Sequence, residues 1–118
     1  MNNSELLESL DSVTTIPPVV FREGKIDYEA HQKNMSYLLY YSTAFNQDIG
    51  KWDVSNVTNM QSMFITASSF NQSIGDWNTS AVTNMGWMFQ GAKKFDKNTI
   101  KGWELKGKNT WGMFGNYN

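Results

Sequence analysis

Phe70-Asn71-Gln72-Ser73-Ile74-Gly75-Asp76-Trp77-Asn78-Thr79-Ser80-Ala81-Val82-Thr83-Asn84-Met85-Gly86-Trp87-Met88-Phe89-Gln90-Gly91-Ala92-Lys93-Lys94 repeats the 25 residues that precede it. Aligned without a gap on Phe45–Ser69 it is identical at 14 of 25 positions, where chance would give about one or two, so the chain is a repeat architecture. A third copy starts at Phe95 and is degraded: Asp96 replaces the Asn, Ile100 and Trp103 arrive one residue late, and Met113-Phe114 return to register. A fragment of an earlier copy precedes the first, since Met35, Leu38, Leu39 and Phe45 fall where Met60, Met63, Phe64 and Phe70 fall.

Stacked units place equivalent residues above one another, so positions that do not change between copies should be those that touch. The expected ladders run through Phe45/Phe70/Phe95, Ile49/Ile74, Trp52/Trp77/Trp103, Val57/Val82 and Met63-Phe64/Met88-Phe89/Met113-Phe114. Asn59 and Asn84 are placed at a turn where their amides can bond backbone groups, and Gly50 and Gly75 suggest a bend needing positive φ. Within a unit, Asp53–Val57 reads as a short strand or turn. Thr58 with Gln61 fits a capping box, and Met60, Met63, Phe64 and Ala67 at i, i+3, i+4 and i+7 predict a short helix. The fold class that follows is α/β: a short leucine-rich-repeat-like solenoid of 25-residue strand/turn–helix units.

The run Met63-Phe64-x-x-Ala67-x-x-Phe70-Asn71-Gln72-x-Ile74-Gly75-x-Trp77-x-x-Ser80-x-Val82-Thr83-Asn84-Met85 resembles the repeat of the BspA-like leucine-rich-repeat surface proteins, over about residues 35–114. The resemblance implies a leucine-rich-repeat-like solenoid, found in long arrays on secreted or lipid-anchored microbial surface proteins and associated with adhesion. It brings no catalytic residues. This chain departs from the pattern in having few units, and its Met1-Asn2-Asn3-Ser4-Glu5 start reads as carrying no export signal.

Residues 1–34 do not repeat, so the domain reading is a capping segment at 1–34 and a repeat domain at 35–118. Ser4 can cap a helix with Leu6, Leu7, Leu10 and Val13 on one face, which Pro17-Pro18 ends. Asp27 can cap a second that runs to about Tyr41. An α-helical N-terminal cap is therefore expected, covering the first coil. Ile16-Pro17-Pro18-Val19-Val20-Phe21, Gly24-Lys25-Ile26-Asp27-Tyr28-Glu29-Ala30 and Tyr37-Leu38-Leu39 are also similar to the opening strand and helix of the dihydrodipicolinate synthase and N-acetylneuraminate lyase aldolases. That likeness covers about residues 16–39 and lacks the usual Thr-Pro before the Phe. Those enzymes need a complete barrel of about 250 residues, so no aldolase activity follows.

Composition narrows the function classes. There is no cysteine, which removes thiolate catalysis, disulfides and sulfur-ligated zinc. No apolar run is long enough to span a bilayer. Residues 1–34 carry six acids and three bases, and residues 35–118 five acids and seven bases; neither balance suggests nucleic acid, and the six lysines from Lys93 to Lys108 lack the arginine clustering of a phosphate reader. His31 is the only histidine, without a nucleophile-elbow sequence to serve. Asp48, Asp53, Asp76 and Glu104 could suggest a glycosidase pair, yet Asp48/Ser73, Asp53/Asn78 and Lys51/Asp76 change between copies, as solvent-facing sites do. Asn-x-Ser/Thr triplets begin at Asn2, Asn34, Asn56, Asn71 and Asn78, incidental in so polar a repeat. The chain reads as a non-catalytic module with no catalytic, cofactor-binding or metal-binding residues, whose partner is a protein or glycan. The ligand-facing candidates are Trp87, a large aromatic whose counterpart is Ser62, with Trp111 and Tyr117 placed near it at the C-terminal end; the other reading of Trp87 is that it covers the last, weak repeat. The alternative is a structural or self-associating spacer, because an uncapped end would expose apolar ladders and promote end-to-end stacking.

Overall fold

In a computed structural model of the chain, residues 19–115 are described. Residues 25 apart lie over one another, and parallel bridges join Asn34 to Asn59, Asn59 to Asn84 and Asn84 to Asn109. Below each bridge, alternate backbone N–H groups leave their own layer: Met60, Ser62, Phe64 and Thr66 donate to the carbonyls of Asn84, Gly86, Met88 and Gln90 at 2.7–2.9 Å. The N–H groups between them close i→i+3 turns within the layer, as in Met63 to Met60, Ile65 to Ser62 and Ala67 to Phe64.

This arrangement corrects the expected fold class. The described residues contain no α-helix; their regular elements are a two-stranded antiparallel hairpin, β1 (Phe21–Arg22) and β2 (Lys25–Ile26), and two 3-10 turns, Tyr28–His31 and Lys97–Ile100. An α-helix would direct every N–H back along its own axis, whereas here Ser62 and Thr66 take left-handed φ of 56° and 58° and turn alternate N–H groups to the next layer. Such a conformation costs a non-glycine residue about 1–2 kcal/mol, offset by the interlayer bonds and by burial of Met60, Met63, Phe64 and Ala67. Successive tight turns return residues three and four apart to one side, which is why their spacing imitates a helix. With extents of 33 × 33 × 25 Å and no α-helix among the described residues, this is a small compact domain and not the short leucine-rich-repeat-like solenoid of strand/turn–helix units expected above.

The N-terminal α-helical cap is corrected too. Asp27 makes no side-chain cap bond, and only the 3-10 turn Tyr28–His31 follows it; the helix expected at Ser4–Val13 lies outside the described residues. The β1–β2 hairpin turns at Glu23 and Gly24, both at positive φ, the pattern of a tight two-residue hairpin turn. Val19, Ile26 and Tyr28 pack on the core, and Tyr28 stacks on Trp52 at 5.1 Å. No barrel strand or long helix of aldolase type is present among the described residues.

The aromatic ladders hold the layers together. Trp52, Trp77 and Trp103 stack at 6.3 and 6.2 Å, Phe45, Phe70 and Phe95 at 6.0 and 5.9 Å, and Phe64, Phe89 and Phe114 at 5.3 and 5.6 Å, each within 21° of parallel. Phe70, Trp77, Met88 and Phe89 are buried while Lys51, Asp76 and Lys93 are exposed. In the third copy the extra residue is taken up by the Lys97–Ile100 turn, where the Asp96 carboxylate accepts from Asn98 N–H. Ile100 and Trp103 regain the core, but Trp103 Nε1 is buried with no hydrogen-bond partner among the described residues.

His31 fixes the hairpin end, because its Nε2 accepts a hydrogen bond from Val20 N–H at 3.1 Å. That bond needs neutral imidazole. Burial lowers the His31 pKa from 6.5, with the nearby Asp27 carboxylate opposing the shift. The unfolded chain therefore takes up the proton first, so stability present above pH 6.5 should decline as pH falls through that value. His31→Gln should flatten this limb of a urea-stability profile. An unchanged profile would detach the histidine from fold stability. Asp53, held below the usual carboxylate range by the Ser55 hydroxyl and N–H, acts only below about pH 4.

Candidate functional site

The ribbon that carries the interlayer bonds has two sides. Met60, Met63 and Phe64 face the main core, while Tyr37 and Ile65 are buried in a second cluster with Tyr40, Tyr41 and Trp87 packed on it. One repeat position decides this face: Tyr37, Ser62, Trp87 and Gly112 are all at positive φ, 25 residues apart. A left-handed residue points its side chain away from the core side of the ribbon, and the sequence fills that place with an aromatic twice.

Trp87 meets Trp111 edge to face, with centroids 5.2 Å apart and planes at 78°, a favoured aromatic geometry. The backbone of Trp87 donates to the Trp111 carbonyl at 2.9 Å. Trp87 is half-buried, whereas Trp111 is 61% exposed. Gly112 makes room for the pair: a Cβ there would stand 2.5 Å from Trp87 Cδ1. Trp87 and Trp111 are thus brought together as expected, and Tyr117 lies outside the described residues. Tyr37, Tyr40, Tyr41 and Ile65 were missed, although Tyr37 shares the variable place of Ser62 and Trp87. Tyr37 and Tyr40 meet edge to face at 6.3 Å, as do Tyr40 and Tyr41 at 5.6 Å. Burial pushes the Tyr37 hydroxyl pKa up.

The charged candidates are engaged locally. Asp48 accepts from Gly50 N–H, Asp53 from Ser55 and Glu104 from Lys106, each two residues on. Lys108 Nζ reaches the carbonyls of Thr79 and Val82 at 2.8 and 2.6 Å, and Lys97 lies over the Phe114 ring at 4.8 Å. Among the described residues no three His, Asp or Glu side chains gather where they could hold a metal ion, and no helix is long and apolar enough to cross a membrane. A cleft of about 440 Å³ between β2 and Gln47–Trp52, lined by Lys25, Tyr28, Asp48 and Trp52, shares none of the aromatic face.

Comparison with known proteins finds a family model, described as Mycoplasma protein of unknown function, DUF285, that matches residues 26–118. No curated protein and no solved structure matches the chain. The matched span takes in Tyr28, every stacked layer and the aromatic face. With its repeats, ladders and Asn bridges all inside that match, the chain belongs to the DUF285 family, a repeat domain of unknown function.

Proposed function

We propose that this chain is a non-catalytic, adhesion-like surface module that binds a protein or glycan through the face formed by Trp87 and Trp111. The observation that carries the reading is the 61% exposed indole of Trp111, held against Trp87. A large aromatic already fixed by a neighbour loses little conformational freedom on binding, and its apolar surface is removed from water by a sugar ring or a peptide side chain alike. Tyr40 and Tyr41 pack on the same cluster and extend the aromatic face.

Glycan and peptide arrays probed with the wild type beside Trp111→Ala test this. Spots bound by the wild type should lose about tenfold or more in affinity, as for a central aromatic anchor, while the exposed position keeps the stability change within about 0.5 kcal/mol. Ligands held equally by both proteins, or none held by the wild type, would remove the aromatic face from function.

A further inference from the structure

Charge is sorted around the stack. The ribbon segments 34–42, 59–67, 84–92 and 109–115 contain none of the ten Lys and Arg or eleven Asp and Glu residues of the chain, although a solvated surface ordinarily carries about a quarter to a third of such residues. By contrast Lys51, Asp53, Asp76, Lys101 and Glu104 stand exposed in the stretches between ribbons. The aromatic face therefore offers neutral groups only: Tyr40 and Tyr41 in the first layer, Thr66 in the second, and Trp87 and Trp111 beyond them, none of them fully buried. The backbone beneath the face is already engaged. In the second layer the N–H groups of Met60, Ser62, Phe64 and Thr66 bond to the next layer, those of Met63, Ile65 and Ala67 bond within their own, and that of Gln61 bonds to the Asn59 side chain. Each carbonyl from Asn59 to Ile65 accepts a bond as well, from Met35, Met63, Tyr37, Ile65, Leu39, Ala67 and Tyr41 in turn.

We propose that the ligand of this face is an uncharged oligosaccharide. The inference rests on the reading of Trp87 and Trp111 as the binding face and names the chemistry that the face selects. An extended peptide laid across the ribbons would find their N–H and carbonyl groups paired with one another, and would bury its own amides without partners. Charged side chains, sialic acids, uronic acids and sulfated sugars would each lose hydration with no opposite charge on the ribbons to replace it. A neutral sugar meets neither obstacle. The C–H side of its ring covers an indole or phenol face, and its hydroxyls, donors and acceptors at once, keep their bonds to water at the rim. Tyr40 and Trp111 stand three layers apart, about 14 Å at the spacing of bridged strands, so the ligand that covers both spans several sugar rings.

The test sets neutral hexose and N-acetylhexosamine oligosaccharides of graded length beside sialylated, sulfated and uronic-acid glycans and peptides, first on arrays and then by titration in solution. The full chain should hold neutral oligosaccharides, with an affinity that rises from single sugars to tetramers. That affinity should stay within about twofold as salt is raised from ~0.05 to ~0.5 M, because there is no charge pair to screen. Trp111→Ala should weaken every length. Tyr40→Ala should cost the longer oligomers about three- to tenfold, the share of one aromatic contact, and leave single sugars unchanged. The length and salt series need no variant, so they decide the matter if Tyr40→Ala fails to fold. Anionic glycans or peptides held by the wild type and lost with Trp111→Ala would keep the aromatic face as the binding surface and overturn its neutral ligand. An affinity that falls with salt or ignores length, or no neutral oligosaccharide held at millimolar concentration, would overturn it as well. Neutral oligosaccharides held equally by Trp111→Ala would overturn the face itself and this inference with it.

Discussion

Trp77→Ala should cost the fold about 3–5 kcal/mol, the range for a large aromatic removed from a core. The ring is 4% exposed, stacks between Trp52 and Trp103, and touches Phe64 at 6.3 Å. Its Nε1 donates to the Ile49 carbonyl of the layer before at 3.0 Å, so the truncation also removes a buried interlayer bond and leaves that carbonyl only the 3.2 Å bond from Trp52 N–H. The two losses fall on one ladder and cannot be relieved by a shift of one layer, because the flanking indoles are fixed by their own stacks. Trp77→Phe keeps the stack and loses only the bond and part of the volume, and should cost less than half as much. Trp87→Ala should also cost much less, since Trp87 is half-buried and packs on the smaller second cluster. Urea titrations of the three variants decide it. Equal losses for Trp77→Ala and Trp87→Ala would mean that Trp87 is as much core as Trp77 and would weaken its assignment to a ligand face.

What could be read from residues alone was set by the physics of stacking. An indole that must lie on an indole 25 residues away leaves identity as its trace, so the Trp and Phe ladders are legible in the sequence. Local geometry was not, because buried residues at i, i+3, i+4 and i+7 arise equally from a helix and from successive i→i+3 turns. The information that separates them is the left-handed φ at Ser62 and Thr66, which neither residue type announces. The copies did hold a sign of it: Gly91 stands at the place of Thr66 and Gly112 at the place of Ser62, both at positive φ. Glycine at two separate positions of a would-be helix interior argues against the helix. The same error hid part of the candidate face. On a helix Ile65 and Tyr40 would be flank residues, whereas on an alternating ribbon they belong with Tyr37 and Trp87 to the side opposite the core.

Gly75→Ala is the second large effect expected, and its cause differs from the bend first suggested. Neither Gly50 nor Gly75 has positive φ, so alanine could adopt either backbone. What forbids it is proximity between layers: a Cβ at Gly75 would lie 2.4 Å from the Thr99 carbonyl oxygen, and one at Gly50 would lie 2.4 Å from the Ser73 oxygen. Both obstacles are backbone, and the layer that carries them is tied to the one below by stacked rings and a row of hydrogen bonds. Relief requires the layers to part locally by about 1 Å, which stretches the Trp77–Trp103 and Phe70–Phe95 stacks together. Overpacking of this kind costs about 1–3 kcal/mol where side chains can yield, and a backbone obstacle places Gly75→Ala at or above the top of that range. Gly102→Ala is the matched control, since a Cβ there meets nothing within 4 Å and its φ is not positive; it should stay within about 0.5 kcal/mol of the wild type. If thermal or urea unfolding placed the two alanine variants together, close contact between layers could not be what reserves this place in the repeat for glycine.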